Sequence, residues 1–108
     1  MVVIVEYVDD DGGQPFAKWF GSLNTPAALK VRTSIARMES GNFSNVAPVG
    51  QGVSECKVNF GPGYRMYFGM DGEELVILLG GGTKQRRNKD IERAKRHWKA
   101  YKLRRRRS

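Results

Sequence analysis

Residues 53–69 read VSECKVNF, then GPG, then YRMYFG, and this stretch decides the fold. Cys56, Val58 and Phe60 alternate with polar residues on the first flank, and Tyr64, Met66 and Phe68 alternate on the second. A period of two on both sides of a glycine–proline–glycine loop predicts a β-hairpin. A three-residue loop, Gly61-Pro62-Gly63, sets Phe60 opposite Tyr64, Asn59 opposite Arg65 and Lys57 opposite Tyr67. The apolar set then faces a core, while Lys57, Asn59, Arg65 and Tyr67 share the other face. Two cations, an amide and a phenol in one patch suit a phosphate backbone and a stacked base. The solvated face of a small sheet carries such residues too, and Tyr67 can equally pack against the stem of Lys57.

Outward from the hairpin, the chain reads as one layered domain. MVVIVEYV supplies a first strand at Val2–Val8, and Asp9-Asp10-Asp11-Gly12-Gly13 breaks it. Pro15 opens a short helix with Phe16, Trp19, Phe20 and Leu23 on one side. A second helix has Thr25 as N-cap, Pro26 at its first position and Gly41 past its end, with Ala28, Val31, Ile35 and Met38 as its apolar stripe. GNFSNVAPVGQG (41–52) reads as a loop tethered by Phe43, Val46 and Val49. Beyond the hairpin, Asp71-Gly72 turns into a strand at Glu74–Leu79, apolar at every position from Leu75 and so covered on both faces. A last helix starts near Asn88 as N-cap, with Ile91, Ala94, Trp98 and Tyr101 as its buried stripe. The order β-α-α-β-β-β-α predicts an α+β fold with a small, largely antiparallel sheet, an N-terminal helical hairpin and a basic C-terminal helix. Residues 1–103 form the domain and 104–108 a basic tail.

Composition narrows the classes. The 108 residues include one cysteine, which excludes an internal disulfide and points to a reducing cytoplasm. The longest apolar run, Leu75–Leu79, is too short for a membrane span, and the N-terminal stretch lacks the basic start of a signal peptide. Residues 1–83 carry six Lys/Arg against nine Asp/Glu, a net of −3; residues 84–108 carry thirteen against two, a net of +11, giving the chain its +8. Such segregation is the footprint of a polyanion or of an acidic protein partner, or else of a basic helix and frayed tail without a specific role.

The chemistry available is limited. GGGTK (80–84) lacks the spacing of a nucleotide P-loop, since Gln85 follows Lys84, and its glycines suit a tight exit from the strand. One histidine, His97, and one inward-facing cysteine, Cys56, supply no metal site and exclude a two-histidine ribonuclease mechanism. Phosphodiester cleavage without metal or cofactor remains open to a cation cluster. Arg65 would clamp the phosphate, and Lys57 or Lys84, crowded by other cations, would take the proton of a 2′-hydroxyl.

The runs FAKWFGSL (16–23), IARMESGNFSNVAPVGQGVSECKVNFGPGYRMYF (35–68), LVILLGGGTK (75–84) and DIERAKRHW (90–98) resemble the RelE/ParE superfamily of toxins from bacterial toxin–antitoxin modules, closest to its HigB-like "addiction module killer protein" branch. The resemblance covers nearly the whole chain. It implies the superfamily fold and a cytoplasmic toxin that cuts mRNA on the ribosome without a cofactor. It also implies neutralisation in a hetero-oligomer with a cognate antitoxin, usually a small helix-turn-helix protein. By this match Lys57, Arg65 and Lys84 are catalytic, with Arg86 and Arg87 nearby; by their own chemistry and placement Asn59, Tyr67, Gln85, Arg86 and Arg87 are the candidate RNA contacts. Several active members carry a tyrosine or histidine early after the last strand, where this chain has Asn88, Lys89, Asp90 and Ile91. Two alternatives stay open: a ParE-like, non-enzymatic inhibitor of DNA gyrase, and a basic nucleic-acid-binding module without catalysis.

Overall fold

In the computed structural model, which describes residues 1–107, the chain runs β1 (Val3–Glu6), α1 (Pro15–Gly21), α2 (Thr25–Glu39), β2 (Val46–Gly50), β3 (Val53–Val58), β4 (Tyr64–Met70), β5 (Leu75–Thr83) and α3 (Arg87–Arg107). A single 3-10 turn at Lys84–Arg86 joins β5 to α3. The strands form one sheet in the order β1-β5-β4-β3-β2, antiparallel throughout except for the parallel pair of β1 with β5. The α+β class and the largely antiparallel sheet are therefore as expected.

The element order gains a strand. Within the segment read as a loop, Val46, Ala47 and Pro48 pair with Cys56, Glu55 and Ser54 as an outer strand. Pro48 has no N–H to give a ladder, so it is tolerated only at an edge, and the register breaks between it and Gly50. The observed order is β-α-α-β-β-β-β-α.

The hairpin forms with a different register. Val58 pairs with Tyr64, Lys57 with Arg65 and Glu55 with Tyr67, so five residues, Asn59–Gly63, close the loop. The slip from the expected pairing is two residues. A slip of two preserves which side chains share a face, whereas a slip of one would exchange them.

Both faces of the sheet are covered. On one, α1 and α2 close over Cys56, Val58, Met66, Phe68, Val76 and Leu78 with Phe16, Val31 and Met38. On the other, α3 lays Ile91, Ala94 and Trp98 on Val53, Tyr67, Ile77 and Leu79. Each fully buried aliphatic side chain contributes roughly 1.5–3 kcal/mol. The face expected to be solvated therefore lies partly under a helix.

Two glycines permit this closeness. The indole of Trp98 lies so near Gly69 that a β-carbon there would come within 2.5 Å of the ring, and Trp19 covers Gly81 in the same way. The triple glycine is not an exit, because β5 continues to Thr83. Between Tyr67 and Phe68 the pairing skips a residue on β5, so Leu79 is the bulged residue and the alternation inverts beyond it. Gly81 thereby turns to α1 and Gly82 to Asp90 on α3.

The helix ends differ in detail. Asn24, not Thr25, caps α2 by accepting the Ala27 N–H at 2.9 Å, and Ala27 rather than Ala28 is buried. Asn88 lies inside the first turn of α3, which starts at Arg87. The segment read as a tail from residue 104 continues α3 through Arg107; Ser108 lies outside the described residues. Arg104 donates to the Val8 carbonyl at 2.7 Å and to Asp10 at 2.8 Å, while Arg105 meets Asp71 at 2.9 Å. Among the described residues no helix is long and apolar enough to cross a membrane.

Candidate nucleic-acid site

Where β3, β4, the 3-10 turn and the start of α3 converge, a cavity of about 720 Å³ opens to solvent. Six cationic side chains, Lys57, Arg65, Lys84, Arg86, Arg87 and Lys89, line it with Gln85, Asn88, Ala47 and one carboxylate, Glu55. Lys57 and Arg65 are cross-strand partners on one face. The Lys84 amide donates to the Gly63 carbonyl at 2.8 Å, which fastens the 3-10 turn to the hairpin loop and carries Lys84–Arg86 to the cavity mouth. Lys57, Lys84, Gln85 and Arg86 are exposed, whereas Arg65 is enclosed in the wall.

Glu55 organises the cavity floor. It is 2% exposed. Its Oε2 accepts from Arg87 Nε at 2.9 Å and from the Tyr67 hydroxyl at 3.0 Å, and its Oε1 accepts from Arg87 Nη2 at 3.3 Å. Arg65 Nε stands 3.4 Å from the same Oε2 but is not aimed well enough for a hydrogen bond. One carboxylate thus holds two guanidinium groups, one by a two-pronged bond and one by charge. The bond to Glu55 raises the Arg87 pKa above its ordinary value. Burial first, then the Glu55 carboxylate, raises that of Tyr67. Arg65 makes no directed hydrogen bond among the described residues, which leaves its planar fork for an anion at the wall.

Six of the eight residues expected from sequence meet here: Lys57, Arg65, Lys84, Gln85, Arg86 and Arg87. Two do not act as expected. Tyr67 is fully buried beneath the cavity, so its ring offers no face to a base; α3 covers it and Glu55 holds its hydroxyl. Asn59 is exposed in the hairpin loop, outside the cavity lining, because the loop is two residues longer than expected. Glu55 itself was missed, although its spacing of two from Lys57 puts it on the same face. Ala47 was missed because β2 was not read as a strand. His97 lies elsewhere, half-buried with its ring 5.1 Å from that of Tyr7, and burial lowers its pKa. The buried Cys56 thiol is pushed up to about 11 by desolvation, which makes it a poor nucleophile.

A planar guanidinium in the wall and exposed lysines at the rim can bind an RNA or DNA backbone and stabilise a phosphorane-like charge. No family model matches the chain. An uncharacterized protein of Haemophilus influenzae is 40% identical to it over 81 residues, which cover 74% of this chain and 82% of that protein.

Proposed function

The chain belongs to the family of that Haemophilus influenzae protein, and from its basic cavity we propose that it is a metal-independent endoribonuclease, the toxin half of a toxin–antitoxin pair. The observation that carries this reading is the convergence of Lys57, Arg65, Lys84, Arg86 and Arg87, from four separate segments, on one open cavity. Stability does not call for such a gathering, because like charges brought together repel.

In this reading Arg65 clamps the scissile phosphate and Lys84 neutralises the charge that develops on it. The 2′-oxygen attacks phosphorus, the bond to the 5′-oxygen breaks, and a 2′,3′-cyclic phosphate and a 5′-hydroxyl are formed. With Lys84 in that role, Lys57 takes the 2′-hydroxyl proton and returns a proton to the leaving oxygen. Glu55 positions Arg65 and Arg87 rather than meeting the substrate, consistent with its enclosure. Gln85, Arg86, Arg87 and Lys89 track the flanking backbone. The work is done in the cytoplasm, on mRNA at the ribosome, and a cognate antitoxin holds the protein inactive until it is released. These last elements, and the RelE/ParE relationship, rest on the sequence resemblance.

A second reading is favoured by one observation: Asn88 and Lys89, not a tyrosine or histidine, line the cavity beside Arg87, and Tyr67 is closed off. A site with that gap binds phosphate without cleaving, as a gyrase inhibitor or a nucleic-acid-binding module does. Mapping the 5′ ends of a reporter mRNA in a translating extract separates the two, using wild type, Lys84→Ala and a parallel reaction on naked transcript. New ends that Lys84→Ala abolishes support the nuclease, with the naked transcript reporting whether the ribosome is needed. No ends in any reaction overturns cleavage and leaves the binding reading.

A further inference from the structure

The sheet contains a vacancy. β1 accompanies β5 only from Leu75 to Leu78, whereas β5 runs on to Thr83. After the Tyr7 amide bonds the Leu78 carbonyl, the chain leaves the sheet through a turn built on Asp9, whose Oδ1 accepts the Asp11 and Gly13 amides. The far half of β5 therefore has β4 on one side and no strand on the other.

Its hydrogen-bonding phase can be read from the ladder. The Lys84 amide bonds the Gly63 carbonyl across the Tyr64–Thr83 pair, which makes that pair the non-bonded kind. Arg65–Gly82 is then the bonded pair, and Gly81 and Thr83 direct their own N–H and C=O away from β4. Among the described residues Gly81 has no strand partner on that side for its N–H and C=O, nor Thr83 for its N–H, while the Thr83 carbonyl caps the 3-10 turn that follows. Gly81 and Thr83 are part-exposed. The opening is a groove of about 950 Å³ along this edge, with Trp19 of α1 on one side of the sheet plane and His97 of α3 on the other. A slot in the plane of a sheet, between two helices, has the shape of a missing strand. At about 3.3 Å per residue, Gly80–Thr83 presents ~13 Å of edge.

The rim determines which strand fits. Lys18, Arg86 and Arg93 stand around the groove. Of its two carboxylates, Asp9 is engaged in its turn and Asp90 meets Arg93 through Oδ1, which leaves Lys18 and Arg86 as the rim cations without an ion pair among the described residues. The geometry points to β-strand addition: an extended, acidic segment of a partner protein occupies the slot in line with β1, bonding the N–H and C=O of Gly81 and the N–H of Thr83. A nucleic-acid backbone has the charge but not the alternating N–H and C=O that these two residues require. The inference is independent of cleavage in the basic cavity and stands or falls without it.

The test is amide hydrogen exchange on the full chain, with an octapeptide of alternating valine and glutamate as probe. Controls are the same peptide N-methylated at every residue, its lysine counterpart, and a tetraribonucleotide. The glutamate peptide is expected to slow exchange at Gly81 and Thr83 by about tenfold or more, leaving Gly82 unchanged because it already bonds β4. Lys18→Glu, at an exposed position with no ion pair among the described residues, is expected to weaken that peptide by about tenfold. No protection at Gly81 and Thr83 overturns the proposal, and so does equal protection by the N-methylated peptide, the lysine peptide or the tetraribonucleotide.

Discussion

The two faces of the central hairpin share strands but not chemistry. Beneath α1 and α2 the packed side chains are almost wholly apolar: Cys56, Val58, Met66 and Phe68 meet Phe16, Val31 and Met38. Beneath α3 the same strands bury Glu55, Arg65 and Tyr67, and the helix itself buries Asp90. Burying ions is expensive, and a buried ion pair is rarely the best use of core volume for stability alone. The first face makes the protein fold. The second gives up stability to hold charges where an anion can reach them.

Substitutions sharpen that contrast. Phe68→Ala, on the apolar face, is expected to cost about 3–5 kcal/mol by urea unfolding while sparing nucleic-acid affinity in whatever protein remains folded. Glu55→Gln strips two guanidinium groups of their counter-charge and is expected to cost about 3 kcal/mol. The double variant Glu55→Leu, Arg65→Met should recover most of that loss yet bind RNA far more weakly, as filter binding at low salt would report. If it stays as unstable as Glu55→Gln, the two faces do not differ in kind.

Tyr67→Phe removes only the hydroxyl that donates to Glu55 and should cost about 1 kcal/mol. Unchanged RNA affinity in the variant would agree with a ring that is closed off from the cavity. Asp90 gives the subtlest signal. Its Oδ2 is enclosed without a hydrogen-bond partner and burial raises its pKa above the ordinary 3.8, against the pull of Arg93 and Arg86. A raised carboxyl favours the folded state while it is protonated. Its contribution is full below pH 3.8 and is lost as pH rises through the raised folded value. Asp90→Asn should therefore gain on wild type in melting temperature above that window and lose the gain below it. A constant difference across pH would assign the effect to packing.

Much of the apolar face could be read from the sequence, because alternation at Cys56, Val58, Met66 and Phe68 states which side chains point inward. The register could not. Gly61-Pro62-Gly63 closes a three-residue or a five-residue loop equally well, and a slip of two leaves the pattern unchanged. β2 was hidden by Pro48 and Gly50, which speak against a strand unless it is known to be an edge. The cation gathering at Lys57, Arg65 and Lys84–Arg87 was visible as residue types on predicted strand ends. Its buried anchor was not, because Glu55 and Arg87 lie 32 residues apart and nothing local joins them. That α3 is amphipathic was plain from Ile91, Ala94 and Trp98, but an apolar stripe does not say which side of a sheet it will cover. Tyr67 was misassigned for that reason.

The parallel pairing of β1 with β5 bears on how the chain is made. Val3 finds its partner only at Leu75, and the cavity lacks Arg87 until α3 begins. During synthesis the first strand must wait for nearly the whole of the domain, and contacts so distant along the chain make for slow closure. The basic cavity is completed among the last events of folding; under the nuclease reading proposed above, a nascent chain would be inert until nearly all of it had been made.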